Sequence, residues 1–143
     1  MSTREVQNKA LIHEFAGRIN AKDLDGAITF FSPNHVEHAV MPGMPAGAEA
    51  VRMFFSMLLA GFPDVQTTIL DTLAEGDKVV IRASTEGTHT GPFLGIPPTG
   101  KRAKWSFIDI HRIADGKIVE HWVETDQMRL MQQLGLVPPP QGH

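Results

Sequence analysis

From Trp105 to Asp126 the chain reads WSFIDIHRIADGKIVEHWVETD, two runs of alternating apolar and polar residues around Asp115-Gly116-Lys117. Period-2 alternation on both sides of a short glycine-containing turn predicts a β-hairpin. Alternation also assigns faces. Trp105, Phe107, Asp109 and His111 point one way, and Lys104, Ser106, Ile108 and Ile110 the other. On the second strand His121, Val123 and Thr125 share a face, and Glu120, Trp122 and Glu124 share its opposite. A carboxylate between aromatics on one strand face fits a pocket wall better than a pure core, because ligand sites set a few polar groups among apolar ones.

The remaining pattern is read the same way. Val6, Ala10, Ile12, Phe15, Ala16 and Ile19 recur at helical spacing, with Ser2 or Thr3 as cap, so a helix is predicted to about Asn20. Asp23 can cap a short second helix through Phe31, which Ser32-Pro33-Asn34 stops. His35 to Val40 alternates as a short strand. Met41 to Gly47 is a Pro/Gly loop, and Glu49 to Ala60 is a third helix, apolar on nearly all sides and therefore buried or bordering a cavity. Strands follow at Val65–Leu70 and Lys78–Thr88. On the latter, Val80, Arg82, Ser84 and Glu86 face opposite to Val79, Ile81, Ala83 and Thr85. Gly87 to Gly100, GTHTGPFLGIPPTG, is a loop that forms a lid or rim. Met128–Leu134 is a last short helix closed by Gly135.

Helices first and long strands afterwards predict an α+β class. The expected architecture is a cone: a curved antiparallel sheet with three N-terminal helices packed on its concave face. One domain is expected over residues 1–137, with a Pro-rich tail at 138–143.

Composition narrows the function. The chain has 143 residues, 42% of them apolar, which supports a real core. A net charge of −3 gives no basic footprint for nucleic acid. There is no cysteine, so thiolate chemistry and disulfides are out of reach. The first residues lack the apolar stretch of a signal peptide, and no window reaches the ~20 apolar residues of a membrane span. A cytoplasmic enzyme or binding domain is expected. The histidines form no HExxH and no His-x-His pair, so no metal is assigned. The loop glycines do not follow a dinucleotide pattern.

Four stretches carry a resemblance: Asn20–Phe31 (NAKDLDGAITFF), Gly87–Gly100, Ile108–Trp122 (IDIHRIADGKIVEHW) and Gln132-Gln133-Leu134-Gly135. They resemble the nuclear-transport-factor-two-like superfamily and, within it, the SnoaL-like polyketide (ester) cyclases. That resemblance implies a cone-shaped α+β barrel, intramolecular aldol cyclisation of polyketide esters through an enolate, no cofactor, and a homodimer through the open sheet face. The acid/base aspartate of those cyclases falls two residues after His121, where this chain has Val123. Ile108-Asp109-x-x-Arg112 is similar instead to ketosteroid isomerases, whose matching Asp stays protonated in an apolar site and donates to an oxyanion. The isomerase base falls on His38 and its oxyanion-hole phenol on Phe15.

The candidate catalytic residues are therefore Asp109, His38 and His121. Asp109 reads either as a proton donor or shuttle to an enolate, or as the structural partner of Arg82, which would keep it ionised and better suited as a base. His38 is a base or a strand histidine bonded to backbone. His121 is a partner of Asp109 or a packing group. His111, near the strand end, is expected to be solvated, and His89 to anchor its loop. Phe15, Met53, Met57, Phe62, Arg82, Glu86, Phe93, Trp105, Phe107 and Val123 are the expected lining for an apolar, carbonyl-bearing substrate, with Met53 and Met57 also readable as core and Glu86 as a rim charge. A binding protein that has lost the chemistry, or a dehydratase or hydrolase, remains open at this point.

Overall fold

The computed structural model describes residues 2–138, so all of the expected tail except Pro138 lies outside the described residues. The element order is α1 (Thr3–Asn20), α2 (Leu24–Ile28), β1 (Phe31–Glu37), α3 (Ala48–Gly61), β2 (Gln66–Glu75), β3 (Lys78–Thr88), β4 (Arg102–Ala114), β5 (Lys117–Thr125) and α4 (Gln127–Gln133). The five strands form one curved sheet in the order β1-β5-β4-β3-β2, with helices on one face, an α+β architecture. Antiparallel pairing runs from β2 to β5, whereas β1 joins β5 in parallel.

Local chemistry explains the helices. Ser2 and Glu5 form a reciprocal capping box at the start of α1, which buries Asn8, Ile12, Phe15 and Ile19 along one stripe. Val6, expected to face inward, is half exposed. Asp23 caps α2, which stops at Ile28 rather than Phe31, because the Phe30 carbonyl already accepts from the Ile118 N–H and Phe31 pairs with Ile118. The α3 helix is buried on one face only, through Ala50, Val51, Leu58 and Gly61.

The β4–β5 hairpin forms where the alternation predicts it, but its register shifts by one residue between Arg112 and Ile113, so that Ile113 pairs with Ile118 and His111 with His121, as at a β-bulge. Asp115 and Gly116 form its two-residue turn with φ of 51° and 71°, the left-handed pair that a type I′ turn requires. β2 extends five residues beyond the expected Leu70. Its register slips between Ile69 and Asp71, and the burial alternation breaks there, as at a β-bulge.

Two apolar clusters flank the site. Ile12, Phe15 and Ile19 of α1 pack on Val79, Ile81, Ala83, Ile113 and Ile118. Leu58, Phe62, Val65, Phe93, Ala103, Trp105, Leu130 and Leu134 form the second cluster. On β4 the inner face runs from Trp105 in one cluster to Ile113 in the other, with Phe107, Asp109 and His111 between.

The loop after β3 is seated tightly. A Cβ at Gly91 would lie 2.0 Å from the Ala60 carbonyl oxygen, so the loop backbone runs against the end of α3. Gly91→Ala is expected to lower stability by about 1–3 kcal/mol, as an overpacked site does, read as a lower urea midpoint with an unchanged slope.

Candidate functional site

Three adjacent strands bring five titratable side chains to the inner face. His35 and Glu37 come from β1, His121 from β5, and Asp109 and His111 from β4. Register places them: Glu37 pairs with His121, His121 with His111, and Val123 with Asp109. The result is an alternating chain of imidazoles and carboxylates. His35 Nε2 is 3.0 Å from Glu37 Oε1. Glu37 Oε2 and Oε1 are 2.6 and 2.9 Å from His121 Nδ1. His121 Nε2 is 2.8 Å from Asp109 Oδ1. His111 Nε2 is 3.5 Å from Asp109 Oδ2, too long for a full hydrogen bond.

The chain of groups is buried and apolar on its flanks. Asp109 is 8% exposed and His111 2%. Phe15 meets His111 at 6.3 Å and Phe31 meets His35 edge-on at 4.9 Å. The His111 and His121 rings stack at 4.7 Å. His121, Phe107 and Val123 keep partial exposure.

Charge follows from this geometry. Burial drives the Asp109 carboxyl upward, but the imidazoles of His111 and His121 outweigh it and bring it to about 2. Burial likewise raises Glu37, and its bonds to His121 and His35 overcome that and bring it to about 2. Burial pulls His121 down, yet Asp109 and Glu37 together hold it up at about 9. His111 is lowered, because burial outweighs its attraction to Asp109. At neutral pH the centre is thus an imidazolium between two carboxylates, with a neutral imidazole beside it.

Asp109, His111 and His121 also bring one potential metal ligand each within 4.8 Å of one another. A ring nitrogen binds a metal in the plane of its ring. The two rings are only 21° from parallel and stacked, so their planes do not meet at one ion. One ring has to turn before this set can hold a cation.

Several expected residues lie elsewhere. His38 is on the outer face, 2.7 Å from Glu120 and stacked on Trp122 at 4.8 Å, because β1 register puts Glu37 and not His38 beside His121. Arg82 is also outside and pairs with Asp71 at 2.6 Å. It cannot reach Asp109, since its cross-strand partner is Ile108. Glu86 pairs with Arg102 on the same outer face at 3.2 Å. Phe62, Phe93 and Trp105 fill the second cluster, with Phe62 5.4 Å from Phe93 and 5.2 Å from Trp105. Phe15 belongs to the first cluster. Met53 is 39% exposed, and Met57 is half-buried. His111 is buried and not solvated. His89 anchors its loop through Thr99, as expected. Two surface clefts of about 470 Å³ each lie apart from the charged chain, one bordered by Leu11, Phe30 and Lys117 and the other by Ser84, Lys104 and Gln133.

Sequence reasoning misses Glu37 and His35. The available signal is parity: they share one face of an alternating strand, and His38 shares the other.

The SnoaL-like polyketide cyclase family matches residues 10–134. The chain belongs to that family. It is 28% identical over 109 residues to the nogalonic acid methyl ester cyclase of Streptomyces nogalater, covering 74% of this chain and 77% of that one. It is 37% identical over 68 residues to the aklanonic acid methyl ester cyclase DnrD of Streptomyces peucetius, and this match spans 47% of each chain, about half the length of that relative. Among solved structures, TsrD of Streptomyces laurentii is similar with a TM-score of 0.84 and 31% identity over 96% of this chain and 99% of that one. AclR of Streptomyces galilaeus, described as a candidate hydroxylase, is similar with a TM-score of 0.84 and 34% identity over 96% and 86%.

The charge arrangement sets a pH response. Asp109 and Glu37 sit near 2, below their ordinary 3.8 and 4.5, so their contribution is present above pH 4.5 and lost as pH falls toward 2. His111, depressed below 6.5, costs stability as pH falls under 6.5. His121, raised from 6.5 to about 9, contributes fully below pH 6.5 and loses that contribution as pH rises through 9. Stability measured by urea unfolding is expected to peak near pH 6.5, and His121→Gln is expected to flatten the alkaline side.

Proposed function

We propose that this protein is a cofactor-independent acid/base enzyme that cyclises an apolar, carbonyl-bearing, polyketide-like ester by intramolecular aldol chemistry. The observation that carries this reading is the buried, ionised Asp109 bonded to a protonated His121 among aromatic walls. A base and an acid in contact, sheltered from water, are the two groups that enolisation requires.

The proton account closes without a co-reactant. The Asp109 carboxylate takes a proton from the carbon between two carbonyl groups. The C–H electron pair becomes the enolate double bond, and charge moves to the carbonyl oxygen. The positive charge of His121, whose two N–H groups are held by Glu37 and Asp109, favours that developing oxyanion. The enolate carbon attacks a second carbonyl of the same molecule, forming the C–C bond. The resulting alkoxide takes up the proton from Asp109, so the product is an isomer of the substrate and the enzyme is regenerated. An ionised Asp109 is the base here, not the neutral donor that the isomerase resemblance implies.

The missing family aspartate fits the same scheme. Val123 and Asp109 are direct cross-strand partners, and side chains so paired lie about 5 Å apart. A carboxylate on β4 therefore reaches nearly the same space as one on β5. Relatives with nogalonic and aklanonic acid methyl ester cyclase activity support an ester of polyketide type as substrate.

A homodimer through the outer sheet face completes the proposal. That face exposes Val36 and Ile108, each 48% exposed, around Trp122. Light scattering is expected to give twice the chain mass for the native protein and the single mass for Val36→Glu with Ile108→Glu.

Asp109→Asn is expected to lower kcat on a polyketide methyl ester by roughly 10²–10⁴-fold, the usual weight of a positioned general base. Adding Val123→Asp to that variant is expected to restore part of the rate. A loss under about tenfold, or ~1.4 kcal/mol of barrier, in a folded variant removes Asp109 from the chemistry. Ligand binding without solvent deuterium exchange at its acidic carbon would favour a binding protein instead.

A further inference from the structure

Glu37 has three hydrogen-bond partners, His121, His35 and the Ala39 N–H. Its two oxygens close on His121 Nδ1 at 2.9 and 2.6 Å. Its Oε1 also meets His35 Nε2 at 3.0 Å, and its Oε2 accepts the Ala39 N–H at 3.1 Å. Its side chain is 8% exposed. The contacts to His121 and His35 are internal, whereas the Ala39 N–H lies at the exposed end of β1.

The arrangement constrains the His121 ring chemically. A carboxylate at 2.6 Å from one ring nitrogen and another at 2.8 Å from the other leave no room for a bare lone pair at either end. Both nitrogens carry protons. If the Glu37 carboxylate becomes a neutral amide, Nδ1 can shed its proton and accept from the amide N–H, or the ring can swing away from Asp109. The groups facing His121 are Asp109 and His111 from β4 and Glu37, backed by His35, from β1. Helix α1 contributes Phe15, which lies against His111.

We infer that Glu37 is a positioning residue for the proposed reaction: it locks His121 with Nε2–H on Asp109 Oδ1, so that Asp109 Oδ2 is the oxygen left to meet the substrate. His35 acts one step further out and fixes the Glu37 carboxylate. This inference rests on the acid/base reading above, but it has a readout of its own. The high proton affinity of His121, to which Asp109 and then Glu37 contribute against burial, is consistent with it.

Two measurements separate the inference from the reading beneath it. The first is an NMR titration of ¹⁵N-histidine-labelled protein. In the native chain His121 is expected to keep both ring protons through neutral pH. In Glu37→Gln its titration midpoint is expected to fall by about one pH unit or more, as loss of a neighbouring opposite charge dictates. In Glu37→Asp it is expected to fall less. The second is turnover of a polyketide methyl ester. Glu37→Gln is expected to lower kcat at least about tenfold with KM nearly unchanged, and to move the alkaline limb of the pH profile down with the His121 midpoint. Should Glu37→Gln fail to fold, His35→Phe, which frees the same carboxylate, is expected to produce a smaller shift of the same sign. An unmoved His121 in a folded variant overturns the inference. So does a moved His121 with kcat and pH profile unchanged. If Asp109→Asn keeps full turnover while Glu37→Gln still shifts His121, the acid/base reading falls and only the grip on His121 stands.

Discussion

An imidazolium held between two carboxylates inside a sheet is the constraint that the rest of the molecule serves. Taking three charges out of water costs more than packing apolar side chains of the same volume, so this arrangement is a poor structural device. It persists because each partner's geometry is fixed from outside. The hairpin turn sets β4 against β5, the β1 ladder sets Glu37 against His121, and two apolar clusters seal the ends of the inner face. Buried charge with perturbed proton affinity, in a setting that packing does not require, marks chemistry more often than stability.

The two faces of the sheet divide the polar residues by purpose. Outside, Arg82–Asp71, Arg102–Glu86 and Arg112–Glu120 are exposed or half-exposed pairs of the kind that contribute little to stability. Inside, Asp109 and Glu37 hold both ring nitrogens of His121, while both ring nitrogens of His111 and the Nδ1 of His35 lack a hydrogen-bond partner among the described residues. The scaffold is the cone. Its inner face carries a carboxylate on β4 opposite Val123, with the histidine of β5 between it and a second carboxylate on β1.

Much of this is legible in the sequence, and the failures have physical causes. Asp109 and His111 share a face by alternation alone, but His121 and Val123 stand opposite them only because the register shifts by one residue between Arg112 and Ile113; strict alternation around the Asp-Gly turn would have set Glu120 against His111. The faces of β3 also separate correctly. Which of them is inner cannot be read, since Val79, Val80 and Ile81 are all apolar, and so Arg82 and Glu86 are drawn into the expected pocket. β2 looks short because its bulge interrupts the period on which strand recognition depends. Glu37 is passed over for its neighbour His38 because β1 joins β5 in parallel across a long stretch of chain, and no local turn encodes that register. The aromatic residues Phe62, Phe93 and Trp105 show a different limit: an apolar side chain looks the same in the sequence whether it lines a hollow or fills one.

The parallel joint between the first strand and the last has a consequence for how the protein comes into being. A growing polypeptide can finish α1, β1 and α3 long before His121 has been synthesised, and even the β2–β3–β4 meander holds only the Asp109 half of the relay. The Glu37–His121 contact is a long-range closure, the slowest type of contact for a chain to find. Unfinished products on the ribosome, and fragments cut before β5, lack the histidine that joins the two carboxylates, so the chemistry proposed above is withheld until the sheet is complete.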